Sequence, residues 1–105
     1  MANPEEAECF EWDDDEDEEG NTAHLARHSI SQDEAEQVFC NDGRFAPNKR
    51  AASADWLLVG RTDGGRVLTL VANYADDRRV LRFITGWEST DGERAKYLTK
   101  RGSRS

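Results

Sequence analysis

Residues 56–87 read WLLVGRTDGGRVLTLVANYADDRRVLRFITGW, and this stretch decides the fold. Trp56–Thr62 runs into Asp63-Gly64-Gly65, a strong hairpin turn. Arg66–Tyr74 is rich in Val, Leu and Thr. Ala75-Asp76-Asp77-Arg78 reads as a second turn and Arg79–Trp87 as a third strand. Strands joined by turns this short predict an antiparallel meander. Strict alternation in the last strand puts Leu81, Phe83 and Thr85 on one side, and Val80, Arg82 and Ile84 on the other.

Helix signals flank the meander. Ser31-Gln32-Asp33-Glu34 fits a capping box, followed by Ala35, Val38 and Phe39 on one apolar face. Residues 21–28 read as a shorter helix with Asn21 as its N-cap. Between these helices and Trp56, residues 41–54 carry Gly, Asn, Pro47 and several bases, and read as a loop. Cys9-Phe10-Glu11-Trp12 alternates weakly, as a short strand would. Thr90-Asp91-Gly92-Glu93 is a second capping box, opening a helix over 91–100. The order β-α-α-β-β-β-α predicts an α+β fold, with helices packed on an antiparallel sheet. Residues 20–100 form its single domain. Residues 1–19 are an acidic, partly disordered segment with the short strand near 9–12, and 101–105 a frayed tail.

The chain has 105 residues and a formal net charge of −8, unevenly spread. Residues 1–20 hold eleven Asp or Glu and no base. Residues 21–105 therefore hold eleven acids against all fourteen bases, a net of +3. The bases cluster late, at Arg78, Arg79, Arg82, Arg94, Lys96, Lys100, Arg101 and Arg104. A stretch of this kind suits a phosphate backbone, although the blander reading is a solvated surface. No apolar run approaches a membrane span, and the first twenty residues lack the charge and apolar core of a signal peptide. Two cysteines thirty-one residues apart form no metal-binding or disulfide pattern. A cytoplasmic protein is expected.

No nucleophile elbow, phosphate-binding glycine loop or zinc-protease motif is present. Two groups carry candidate chemistry. His24 and His28 are four apart and share a helix face, with Arg27 between them. Two histidines with no third ligand make a weak metal site, but an imidazole suits proton transfer on a ribose hydroxyl. The alternative is a pair of surface or capping histidines. The second group is Arg82 with Glu93, Arg94 and Tyr97. Metal-free RNA cleavage needs a base for the 2′-hydroxyl, an acid for the leaving oxygen, and cations for the phosphorane. Glu93 has a competing explanation as the capping-box carboxylate, and Arg82 as one exposed charge on a strand.

Together these residues resemble BrnT-type toxins. The resemblance runs from Phe10-Glu11-Trp12-Asp13 through His24-x-x-Arg27-His28-Ser29-Ile30-Ser31 and Glu34-Ala35-x-x-Val38-Phe39. It continues with Trp56, Gly60-Arg61-Thr62, Gly65-Arg66, Arg82-Phe83-Ile84-Thr85 and Glu93-Arg94-x-x-Tyr97. It implies a RelE-like fold and a type II toxin–antitoxin system in which the toxin cleaves RNA with no metal and no cofactor. It also implies a cognate DNA-binding antitoxin as partner, in a hetero-oligomer. Carried onto this sequence, it assigns His28, Arg27, Arg82, Glu93 and Arg94 to catalysis, and His24, Arg61 and Tyr97 to RNA binding. Trp87 is read as an RNA contact that stacks on a base, with a buried strand-end tryptophan as the favoured alternative. Trp87 and Asp55 stand where many members carry arginine, so a relative that only binds is the alternative. The acidic run is either a solubilising loop or a segment that competes with RNA for the basic surface.

Overall fold

The computed structural model describes residues 3–48 and 56–97. Asp55, residues 49–54, the expected helix end beyond Tyr97 and the tail 101–105 lie outside them. After a 3-10 turn at Pro4–Glu6 come β1 (Cys9–Phe10), α1 (Asn21–Arg27), α2 (Gln32–Cys40) and β2 (Arg44–Pro47). Then follow β3 (Trp56–Arg61), β4 (Val67–Ala75), β5 (Val80–Glu88) and α3 (Asp91–Tyr97). The strands form one sheet in the order β1-β5-β4-β3-β2. The α+β class and the β3–β4–β5 meander are as expected. The sheet is mixed rather than purely antiparallel, because β1 pairs with β5 in parallel, Cys9 opposite Val80 and Phe10 opposite Leu81.

Local chemistry explains the element ends. Ser31 Oγ accepts from Glu34 N at 3.1 Å while Glu34 Oε1 accepts from Ser31 N at 3.1 Å, closing the capping box on α2. Between β3 and β4, Thr62 N donates to Arg66 O and Gly65 N to Thr62 O. Gly65 takes φ +91°, a left-handed value that a residue with Cβ resists. That is a three-residue hairpin loop with glycine at its strained position.

Alternation divides the sheet into two faces. Toward α1 and α2 point Leu58, Leu68, Leu70, Ala72, Tyr74, Leu81 and Phe83, which meet Leu25, Ile30, Ala35 and Val38 in the main core. An aromatic row crosses this face. Ring centroids run from Trp12 to Phe83 (5.6 Å), Phe83 to Phe10 (5.7 Å), Phe10 to Phe39 (5.3 Å), Phe39 to Phe45 (6.1 Å) and Phe45 to Trp56 (6.2 Å). The other face is thinner. Val59 and Val67 are buried there, with Tyr97 of α3 packed against them.

Three expectations need correction. Residues 44–47 are not loop: β2 pairs with β3, Phe45 opposite Leu58 and Pro47 opposite Trp56. An edge strand tolerates proline, whose missing N–H faces away from the ladder. Second, Thr85 does not share a face with Leu81 and Phe83. Val71 pairs with Thr85 and Ala72 with Phe83, so Ile84 is an extra residue in a bulge and the alternation shifts by one. Gly86 then takes the core side, where a Cβ would lie 2.6 Å from Leu70 Cδ2 and 3.2 Å from Leu25 Cδ2. Third, Gly20 is the N-cap of α1, and Asn21 is buried just inside. Asn21 Nδ2 donates to Glu11 O and Phe83 O, and its Oδ1 accepts from Asp13 N, so the amide joins three chain segments.

Candidate nucleic-acid site

Glu93 is the best-defined polar node among the candidate residues. Its Oε1 accepts from the Thr69 hydroxyl at 2.9 Å, the Trp87 indole at 3.0 Å and Thr90 N at 2.9 Å. Thr90 Oγ1 accepts from Glu93 N at 3.1 Å, which completes the second capping box. Ser89 Oγ lies 2.8 Å from Thr69 Oγ1 and extends the network. Burial raises the Glu93 pKa, but the hydrogen bonds from Thr90, Trp87 and Thr69 outweigh it and hold the carboxyl below its usual range. The group is an ionised acceptor that ties α3 to β4 and β5.

Arg82 has an equally definite partner. Its Nη1 and Nη2 meet Asp13 Oδ1 at 3.1 Å and Oδ2 at 2.6 Å, a two-point ion pair. The hydrogen bonds with Asp13 raise the Arg82 pKa, and those from Arg82 and Asn21 N lower that of Asp13. Arg82 and Trp87 are five positions apart on β5, roughly 15 Å of strand, so Arg82 and Glu93 are not brought together.

The histidine group lies on α1. His24 is half-buried, while Arg27 and His28 are exposed. Arg27 Nη2 donates to the Glu18 carbonyl, and His28 forms the C-cap of the helix. Arg66 links this end of α1 to the end of β5. Its Nη1 donates to Ser29 O at 2.7 Å, next to His28, and its Nε to Glu88 at 3.3 Å, next to Trp87. His28 and Glu93 therefore reach the same end of the sheet from opposite faces. Arg61 is exposed at the end of β3 and Arg94 is exposed on α3. Tyr97 is half-buried on Val59 and Val67, with Lys96 Nζ 5.3 Å from its ring centroid.

Two important side chains were not singled out from sequence. Arg66 Nη1 also contacts both Glu34 oxygens, at 3.0 and 2.9 Å, tying the capping box of α2 to the hairpin. Asp13 belongs to the acidic segment of residues 1–19 expected to be partly disordered, yet it holds Arg82 and accepts from Asn21 N at 2.9 Å. A signal was present in both cases, since each is an acid–base pair inside the quoted motifs. Their separations of 32 and 69 residues hid the pairing.

The structure offers an exposed imidazole and exposed guanidinium groups, which it does not gather around Glu93. No group of three metal-ligating side chains occurs among the described residues. No helix among them is long and apolar enough to cross a membrane. Set against protein-family models and against curated proteins, the chain matches none.

Proposed function

We propose that this chain is the toxin of a type II toxin–antitoxin pair, of the BrnT kind with a RelE-like fold, and that it cleaves RNA without a metal. The observation that carries this reading is a division of labour among the residues of the resemblance. Phe10, Trp12, Asp13, Glu34, Arg66 and Arg82 are engaged in packing, hydrogen bonds or ion pairs. His28 and Arg61 are exposed instead, and Ser29, next to His28, is tied through Arg66 to Glu88 at the β5 end that precedes α3.

In this reading His28 is the proton carrier. It takes the proton of a ribose 2′-hydroxyl as that oxygen bonds to phosphorus. The bond to the 5′-oxygen breaks and that oxygen takes the proton back from the His28 imidazolium, leaving a 2′,3′-cyclic phosphate, a free 5′-hydroxyl and a neutral imidazole. Arg27 offsets charge on the phosphorane, and Arg82 does so only when Asp13 yields it. Glu93 positions α3 and Trp87, since its Oε1 already serves three donors. A cognate DNA-binding antitoxin is the partner, and the cytoplasm the compartment.

Cleavage of a long unstructured RNA in EDTA, beside the His28→Ala variant, tests the reading. The expected result is cleavage by the wild type and at least tenfold less by the variant. Equal cleavage by both removes His28 from the mechanism. The engagement of Glu93 and Arg82 favours a second reading, a relative that binds RNA or a partner without cutting. Retained RNA binding with no cleavage by folded wild type selects it.

A further inference from the structure

Trp87 has one polar atom, and the fold already uses it. Its Nε1 donates to Glu93 Oε1 and Oε2 at 3.0 and 3.3 Å. The same carboxylate is held by Thr69, the residue opposite Trp87 across the ladder, and by Thr90. The indole is thus fixed in orientation along one edge. The residue as a whole stays half-buried, on the sheet face that carries α3. Tyr97, one helical turn beyond Glu93, is the other half-buried aromatic of this face.

A ring in this state has a restricted repertoire. It has no donor left to read a base edge. The ionised Glu93 beside it repels a phosphate. What remains is a flat, oriented π surface, which takes a flat partner by stacking. A base inside a duplex already stacks on its neighbours, so only an unpaired one is available. Arg61 stands on the same face, two strands and two residues away, roughly 12 Å, within reach of a neighbouring phosphate.

We infer that Trp87 is a stacking platform for an unpaired base, and that this chain takes single-stranded RNA in preference to duplex. The inference rests on the RNA reading above and narrows its substrate class. Because the indole N–H is committed, the platform discriminates by stacking area rather than by hydrogen bonding, and favours purines.

The test is fluorescence anisotropy with a short labelled oligoadenylate, the matching oligouridylate and the duplex of the two. The proteins are wild type, Trp87→Ala and Trp87→Phe, each checked for folding by circular dichroism. Wild type should bind oligoadenylate most tightly and the duplex least. Trp87→Ala should weaken oligoadenylate binding by about tenfold and leave its salt dependence unchanged, because stacking and not a phosphate contact is lost. Trp87→Phe keeps a π face without the N–H and should recover most of the affinity. If Trp87 only anchored Glu93, Phe would fail as badly as Ala, and that result overturns the inference. So does duplex bound as tightly as the single strand. Both leave the RNA reading standing, whereas a folded wild type that binds none of the three probes removes that reading as well.

Discussion

The two faces of the sheet are held by different physics. The face under α1 and α2 is a continuous apolar core with six aromatic rings in contact across it. The face under α3 has a helix with no fully buried residue, buried valines at 59, 67 and 71, and a carboxylate that binds three donors. Burial is non-directional and grows with area, so the first face supplies most of the stability. Hydrogen bonds are directional and individually modest, so the second fixes where Trp87 and α3 sit while adding little stability. A face stabilised in this second way can present side chains without endangering the fold.

The sharpest way to break this contrast is Phe83→Ala. Phe83 is fully buried, stacks on Phe10 and has Trp12 tilted against it. Truncation should cost about 3–5 kcal/mol in urea unfolding, a large part of the stability of a small domain. A loss comparable to that at Tyr97 would show that the faces do not differ. Arg66→Ala comes next. It removes the contacts with Glu34, Ser29 and Glu88 in one change, and the Arg66 and Glu34 side chains are only 29% and 26% exposed. The expected loss is about 2 kcal/mol, less than a buried pair would give because water still reaches both partners. Arg66→Lys should restore little of it, since one ammonium cannot reproduce the fork; near-complete recovery in a thermal melt would reduce the contact to plain charge.

Glu93→Gln probes the polar face alone. Its carboxyl titrates below the ordinary 4.5 in the folded protein. The stability it contributes is complete above that ordinary value and disappears as pH falls through the lower folded one. The substitution should cost about 1 kcal/mol at neutral pH and flatten the acid limb of a stability–pH curve. Glu34, whose burial is likewise outweighed by bonds from Ser31 and Arg66, keeps part of that limb in the variant. An acid limb identical to wild type would exclude Glu93 as a contributor. Tyr97→Ala should have the smallest effect, under about 1 kcal/mol, because the ring is half-exposed and packs against the small Val59–Val67 cluster. Calorimetry should find the melting temperature lower by a few degrees at most.

What the sequence made legible was mostly local. Both capping boxes close within four residues, and the Asp63-Gly64-Gly65 turn has its glycine at positive φ where the hairpin needs it. What it concealed depends on distant partners. Arg44–Pro47 has no periodicity of its own and becomes a strand only because β3 offers an edge. The bulge at Ile84 is invisible to alternation, since only the partner strand shows which residue is extra. Of the candidate site, the Glu93 cap was readable. The commitment of Arg82 to Asp13 was not, because a charge run gives no sign of which member will pack.

The parallel pairing of β1 with β5 has a consequence for the order in which the molecule assembles. Glu8 and Arg79, joined by an ion pair at this seam, are 71 residues apart in the chain. Closing so long a loop costs entropy that no local contact repays. The ribosome delivers Phe10 and Trp12 long before Phe83, the ring on which both rest. Until Phe83 arrives those two aromatics lack the ring that covers them, and are apolar groups that invite association. The acidic stretch Asp14–Glu19 travels directly behind them, and its mutual repulsion keeps such waiting chains apart. The seam is thus the last part of the core to seal, and the charge beside it acts before the fold exists.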